Sequence, residues 1–199
     1  MFERKNPLAV VEAFKRAFPN DDDVLLVLKC SNAEVDPENA TRLREATRHD
    51  RVRLIEGYVL RHEVTSLIAA SDAYVSLHRS EGFGLTMAEA MSAGRIVIAT
   101  GYSGNMEFMR PDNSFLVRHR LVEATEDHGP YRKGTEWAEP DVDHATELMR
   151  WVFEHRSAAA RVAATGREHV GSVLGSNVVG RTVKLRLEDA WRRRRGDSA

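Results

Sequence analysis

Two glutamates, Glu81 and Glu89, flank the stretch Gly82-Phe83-Gly84-Leu85-Thr86-Met87-Ala88. Carboxylates can accept hydrogen bonds from neutral hydroxyls, and the run between them has the make-up of an anion cradle. An apolar run, Ala73-Tyr74-Val75-Ser76-Leu77, precedes the glycines, and a helical pattern through Met91 follows them. A strand, a tight Gly-X-Gly turn and a helix N-terminus leave free N–H groups and the positive end of a dipole at one place, which favours a phosphate. Glycine lets the backbone approach a ligand that any Cβ would hold off. Glu81 then stands at the mouth of the site, and Glu89, about one turn into the helix, can accept from hydroxyls such as those of a ribose. The plainer alternative is a strand-to-helix turn whose glycines serve packing alone.

The elements that must position these residues follow in chain order. Asn6-Pro7 predicts a helix start, with Asn as the cap and Pro at the first helical position. Leu8, Val11, Phe14 and Phe18 recur at helical spacing and cover a core. Asp21-Asp22-Asp23 reads as a turn, and the apolar run Val24 to Leu28 suits a buried parallel strand. Asp36-Pro37 begins a helix toward His49. A strand over Val52-Arg53-Leu54-Ile55 and a short helix with Val64, Leu67 and Ile68 inward lead to the strand Ala73–Leu77. Beyond the motif, Gly94 predicts a left-handed helix end. Ile96-Val97-Ile98-Ala99 and Ser114-Phe115-Leu116-Val117 predict two more strands. The alternation implies an α/β fold, a doubly wound, Rossmann-like sheet of parallel strands, with ligands at the carboxyl ends of the strands. Residues 118–140 show no period and carry Gly129-Pro130, so a long surface loop is expected. Asp141 caps a helix through about Glu154, with Leu148, Trp151 and Val152 inward, and further helices cover about 157–173 and 176–194. The division expected is a Rossmann-like domain over 1–155 and C-terminal helices over 156–199 packing on it.

Composition narrows the classes. The 199 residues are 42% hydrophobic and 30% charged, with a net charge of −1, which gives no electrostatic case for nucleic acid or an anionic membrane. Cys30 is the single cysteine, so no internal disulfide forms, and a buried structural thiol is its expected role. No apolar stretch approaches the ~20 residues of a membrane span, and no secretory signal is recognised, so a cytoplasmic protein is expected, with peripheral membrane contact still allowed.

From Ser80 to Met91 the sequence resembles the retaining nucleotide-sugar glycosyltransferases of family 4, also called group 1, which have the two-domain GT-B fold. The resemblance continues through Ala88-Glu89-Ala90-Met91-Ser92-Ala93-Gly94 and Ile96–Thr100 to Gly101-Tyr102-Ser103-Gly104-Asn105. It covers nearly the whole chain from about Arg4, but about half of a family enzyme, namely the C-terminal donor-binding domain. It implies binding of a nucleotide-diphosphate sugar and transfer with retention of configuration, with no metal and no cofactor. Lys5 would be the cation on the donor diphosphate and Glu81 the acid against the donor sugar. Gly82, Phe83, Gly84 and Leu85 would offer backbone N–H groups, Thr86 a hydroxyl, and Glu89 would take the ribose. His78 is a candidate pocket residue, as are Gly101 and Gly104, and the base would lie near Gly57-Tyr58-Val59-Leu60. No residue matches the arginine that accompanies the family lysine, Arg4 included.

The family's domain opens with a central strand, for which Met1-Phe2-Glu3 leave too little chain. The sheet is therefore expected to lack that strand, and the chain to be a truncation or an excised piece, with the glycan- or lipid-binding acceptor domain absent. Three readings follow: the donor half of a transferase, a nucleotide-sugar-binding module without transfer of its own, or a structural fragment packing on a partner chain. A phosphorylase of the same architecture is more distant, because no pyridoxal-type lysine context is visible.

Overall fold

The computed structural model describes residues 2–20, 23–31 and 33–195; Asp21 and Asp22, expected in a turn, lie outside these. Phe2–Lys5 makes a single helical turn, α1, and Pro7–Ala17 makes α2. Pro7 opens α2, where its fixed φ and missing N–H are no handicap. Asn6, however, does not cap the helix through its side chain. Its backbone is left-handed at φ 51°, the residue is buried, and its N–H closes α1 by donating to Phe2 O at 2.8 Å.

Strand and helix then alternate: β1 (Leu26–Cys30), α3 (Pro37–Ala46), β2 (Val52–Glu56), α4 (Arg61–Ala70), β3 (Ala73–Ser76), α5 (Leu85–Ser92), β4 (Ile96–Thr100) and β5 (Phe115–Val117). Asp36 caps α3, its carboxylate accepting from the Asn39 N–H at 3.3 Å. Gly94 ends α5 at φ 69°: its N–H donates to Met91 O, and that of Arg95 to Ala90 O, which satisfies two terminal carbonyls.

These strands pair in parallel, as the alternation implies, but in two ladders rather than one sheet. β1 pairs with β2, and β3–β4–β5 form a second ladder; no ladder bonds join β1 to β3. What spans both ladders is side-chain packing. Val10, Ala13 and Phe14 of α2 share one core with Val52 of β2, Ile98 of β4 and Val117 of β5. On the other face of β4, Val97 and Ala99 pack with Ile68 of α4, Met87 and Met91 of α5, and Phe108. Helices therefore cover both faces around β4, the doubly wound arrangement.

Residues 118–140 are not a loop. They form an antiparallel hairpin, β6 (His119–Glu123) with β7 (Glu136–Pro140), in which Leu121 lies opposite Ala138. The strands are short, carry Arg120, Glu123, Glu136 and Glu139, and leave Leu121 exposed, so no alternation of apolar residues marks them. Asp141 then caps α6 (Val142–Glu154) by accepting from the His144 N–H at 2.9 Å. Trp151, expected inward, is exposed against the rings of Phe115 and His155. Ala145, Met149 and Val152 form the buried stripe instead. Helix α7 (Arg156–Leu174) buries Ala159, Ala163, Gly166 and Val170, whereas α8 (Ser176–Arg195) meets α7 and buries none of its residues.

Candidate functional site

β3 runs out at Ser76, and the chain crosses the carboxyl end of the ladder through Leu77-His78-Arg79-Ser80 before the motif turn. Gly84 stands at the N-cap of α5 with φ 90°. A Cβ there would meet the Met87 Cε at 2.7 Å and the Asn105 Cβ at 3.2 Å, so both conformation and space call for glycine. The first bonds of α5 are the N–H groups of Met87 and Ala88 donating to Gly84 O, at 3.0 and 3.1 Å. The preceding N–H groups, of Leu85 and Thr86, are the open donors of a helix N-terminus. Gly82, Phe83 and Leu85 are exposed around them. Tyr74 donates its hydroxyl to Thr86 Oγ1 at 2.8 Å, which leaves the threonine its own proton to give.

Glu81 is where the chain's distant parts meet. Its side chain is only 8% exposed, and each carboxylate oxygen is engaged: Oε1 accepts from Lys5 Nζ, and Oε2 from Arg4 at 3.1 Å. Burial pushes the Glu81 carboxyl up, but the hydrogen bonds and charges of Lys5 and Arg4 overcome this and hold it below the ordinary carboxylate range. Lys5 remains 47% exposed, so protons of its ammonium still face solvent. Arg4 also donates to Ser80 O at 2.7 Å. This arginine, set aside in the sequence because it matched no expected position, shares the carboxylate with Lys5. Its adjacency to Lys5 was the one available signal.

A second loop, leaving β4, buttresses the turn. The Gly104 N–H donates to Glu81 O at 3.1 Å, and a Cβ on Gly104 would fall 2.2 Å from Gly82 O. Two backbones touch here, which only glycine allows. Gly101 lies beneath, donating to Val117 O at 3.0 Å. Ser103 Oγ accepts from the Glu81 N–H at 2.8 Å and adopts φ 72°, ψ −149°, a region nearly reserved for glycine. Holding a serine there costs about 1–3 kcal/mol. Ser103 lies within the Gly101–Asn105 stretch that the resemblance marks, but an ordinary residue type conceals its unusual dihedral.

His78, expected to line the pocket, is completely buried. Its Nε2 faces two acceptors, Tyr102 O at 3.2 Å and Asn105 Oδ1 at 3.0 Å, so that nitrogen carries the proton, and Nδ1 accepts from Ser76 Oγ at 3.0 Å. With both ring nitrogens used inside the protein, His78 ties the two strand-end loops together and does not reach the crevice. Burial lowers its pKa, which keeps the ring neutral.

Glu89 lies one turn into α5, half-buried, and pairs with Arg61 at 3.0 Å. Arg61 is 89% exposed at the start of α4, next to the Gly57–Leu60 segment. The structure thus gathers Lys5, Glu81, Gly82–Thr86, Glu89 and Gly104 at one end of β3 and β4 and sets His78 beneath them. Among the described residues, no group of three or more His, Cys, Asp or Glu could hold a metal ion, and no helix is long and apolar enough to cross a membrane.

Residues 1–169 match the family described as glycosyl transferases group 1, and the chain belongs to that family. A trehalose synthase of Pyrococcus horikoshii is 25% identical over 168 residues, which are 81% of this chain and 35% of that protein. The C-terminal domain of a glycosyl transferase group 1 protein from Francisella tularensis superposes with a TM-score of 0.64 at 19% identity, over 86% of this chain and 80% of that one. Anabaena HepE, solved in complex with UDP-glucose, superposes with a TM-score of 0.66 at 16% identity, over 91% of this chain and 46% of that one. The fold is that of the C-terminal, Rossmann-like half of these GT-B proteins. The chain spans about a third of the curated relative and less than half of HepE.

Proposed function

We propose that the crevice over the carboxyl ends of β3 and β4 binds a nucleoside-diphosphate sugar, as the donor side of a retaining glycosyl transfer. The observation that carries this reading is the convergence of Lys5 and Arg4 on Glu81 beside the open N-terminus of α5. When the sugar leaves, negative charge builds on the diphosphate. An ammonium, a guanidinium and a helix N-terminus, held before the reaction begins, are suited to stabilise it. In this reading Lys5 faces the diphosphate, the N–H groups from Gly82 to Leu85 and the Thr86 hydroxyl take phosphate or sugar oxygens, and Glu81 faces the sugar. Glu89 accepts from the ribose hydroxyls. Its exposed pair with Arg61 is worth only about 0–1 kcal/mol, so incoming hydroxyls displace it easily. Gly101 and Gly104 support the floor. HepE, of the same fold, was solved with UDP-glucose, which makes UDP and its sugars the first ligands to try.

Every group gathered here serves a donor, so this chain is expected to bind the nucleotide sugar without efficient transfer, the acceptor being held by a further domain. A thermal-shift series with UDP, GDP and ADP and their hexose conjugates tests the reading, since a ligand that binds only the folded state raises the melting temperature. Glu89→Ala should weaken binding about tenfold, because ribose hydroxyls lose a half-buried acceptor. No shift with any nucleotide would remove the assignment, and a Glu89→Ala variant of unchanged affinity in calorimetry would remove Glu89 from the site.

A further inference from the structure

The hairpin β6–β7 arises where β5 ends and returns along the segment that carries the motif. The Ala138 N–H donates to Arg79 O at 3.0 Å, one residue before Ser80. Arg79 clamps the return strand: it bonds Glu139 at 2.8 and 3.2 Å, pairs with Glu3 at 3.0 Å, and lies over the buried ring of Trp137 at 5.4 Å. The hairpin tip is itself tied. His128 and Tyr131 form a bridge around Gly129, at φ 62°, and Asp127 accepts from the Lys133 N–H and from Arg132, at 2.9 and 2.8 Å. This turn presents Tyr131, whose ring packs near Trp137 and whose hydroxyl donates to Ser80 Oγ at 3.0 Å. Ser80 is therefore gripped at its carbonyl by Arg4 and at its hydroxyl by Tyr131, and it carries Glu81.

We propose that the β6–β7 hairpin is the sugar-side wall of this site, and that Tyr131, acting through Ser80, is a positioning residue that sets preference for a nucleotide sugar over the free nucleotide. The inference rests on the donor-binding reading and adds to it. Of the groups assigned to phosphate and ribose, the start of α5 and Glu89 follow Glu81 in the chain and Lys5 reaches it from α1, while the hairpin grips the residues just before it. Removing the Tyr131 hydroxyl loosens Ser80 and the Glu81 carboxylate but leaves the helix N-terminus intact.

Calorimetric titration of the wild-type chain with UDP, GDP and ADP, and with UDP-glucose, GDP-mannose and ADP-glucose, identifies the nucleotide to use. Tyr131→Phe and Ser80→Ala should then each weaken binding of the nucleotide sugar about five- to tenfold, with the free nucleotide changed less than about twofold, because one hydrogen bond is lost at the sugar end only. The double variant should lose no more than either single one, since the two residues act as a unit. Equal losses for sugar and nucleotide, no loss for either, or additive losses in the double variant overturn the positioning role while donor binding stands. A wild-type chain that binds none of the six ligands overturns both readings.

Discussion

The two ladders of this molecule carry the same kinds of strand and treat them differently. In β4 all five residues, Ile96 to Thr100, are buried, between α2 and α6 on one face and α5 and α7 on the other. In β1 the residues facing α2, Leu26 and Leu28, are half-covered, while Val27 between them is 42% exposed and Leu25, just before the strand, 57%. Both regions read as continuous apolar runs, so hydrophobicity does not account for the difference. Neighbours do. β4 has a strand on each side and helices above and below, whereas β1 has β2 on one edge and no ladder partner on the other. The motif turn, His78 and the Gly101–Asn105 loop all hang from the well-packed ladder. Precise placement of Glu81 needs that rigidity; of the proposed site, the β1–β2 ladder supports only the Gly57–Leu60 margin.

Amide exchange should separate the ladders most sharply. The Leu26 N–H donates to Arg51 O, so strand alternation turns the N–H groups of Val27 and Lys29 toward the open edge. These should exchange on the order of a hundredfold faster than those of Ile98 and Ala99, which report near-global opening. Strong protection across residues 24–28 would mean that the edge is covered and the two ladders are equivalent. Truncation is the next test. Ile98→Ala should cost about 2–5 kcal/mol, since its side chain is fully enclosed. Val27→Ala should fall within about 1 kcal/mol, as an exposed position does. Urea unfolding measures both, and similar losses would erase the contrast.

Much of this was legible in the sequence, and the gaps have physical causes. Asp36-Pro37, Asp141 and Gly94 are local signals with one structural meaning, and each marks the helix end it predicts. The motif strand, turn and helix follow from Gly82 to Met91 in the same local way. Asn6-Pro7 misled in part, because a proline fixes the helix start without obliging its neighbour to cap it. The hairpin over 119–140 escaped because it is held by contacts to Arg79 and Ser80, far away in sequence. Residue type at Arg4 and Ser103 gave equally little. Arg4 matters through its reach across 77 residues to Glu81, and Ser103 through a backbone angle that no composition reveals. At His78 the type pointed to chemistry, while complete burial turned the residue into a tie between loops.

That tie supplies the smallest test of the comparison, through pH. His78 is neutral and buried in the well-packed ladder, and its folded pKa lies below the ordinary value of about 6.5 because burial disfavours the charged ring. The unfolded chain therefore binds a proton first as pH falls, and the folded state loses stability. The contribution is whole above about pH 6.5 and declines as pH drops through that value toward the folded pKa. His144, whose pKa burial also lowers, adds a slope of the same sign from α6. Glu81, held below the ordinary range by Lys5 and Arg4, takes over only in more acidic solution, below about pH 4.5. His78→Gln should lower the melting temperature at pH 7.5, because the Ser76–Asn105 network loses its fit, and should flatten the curve in the window just below about pH 6.5 without abolishing it. Melting curves across that window decide the matter: an unchanged slope in the variant would show that the well-packed ladder does not carry the pH dependence.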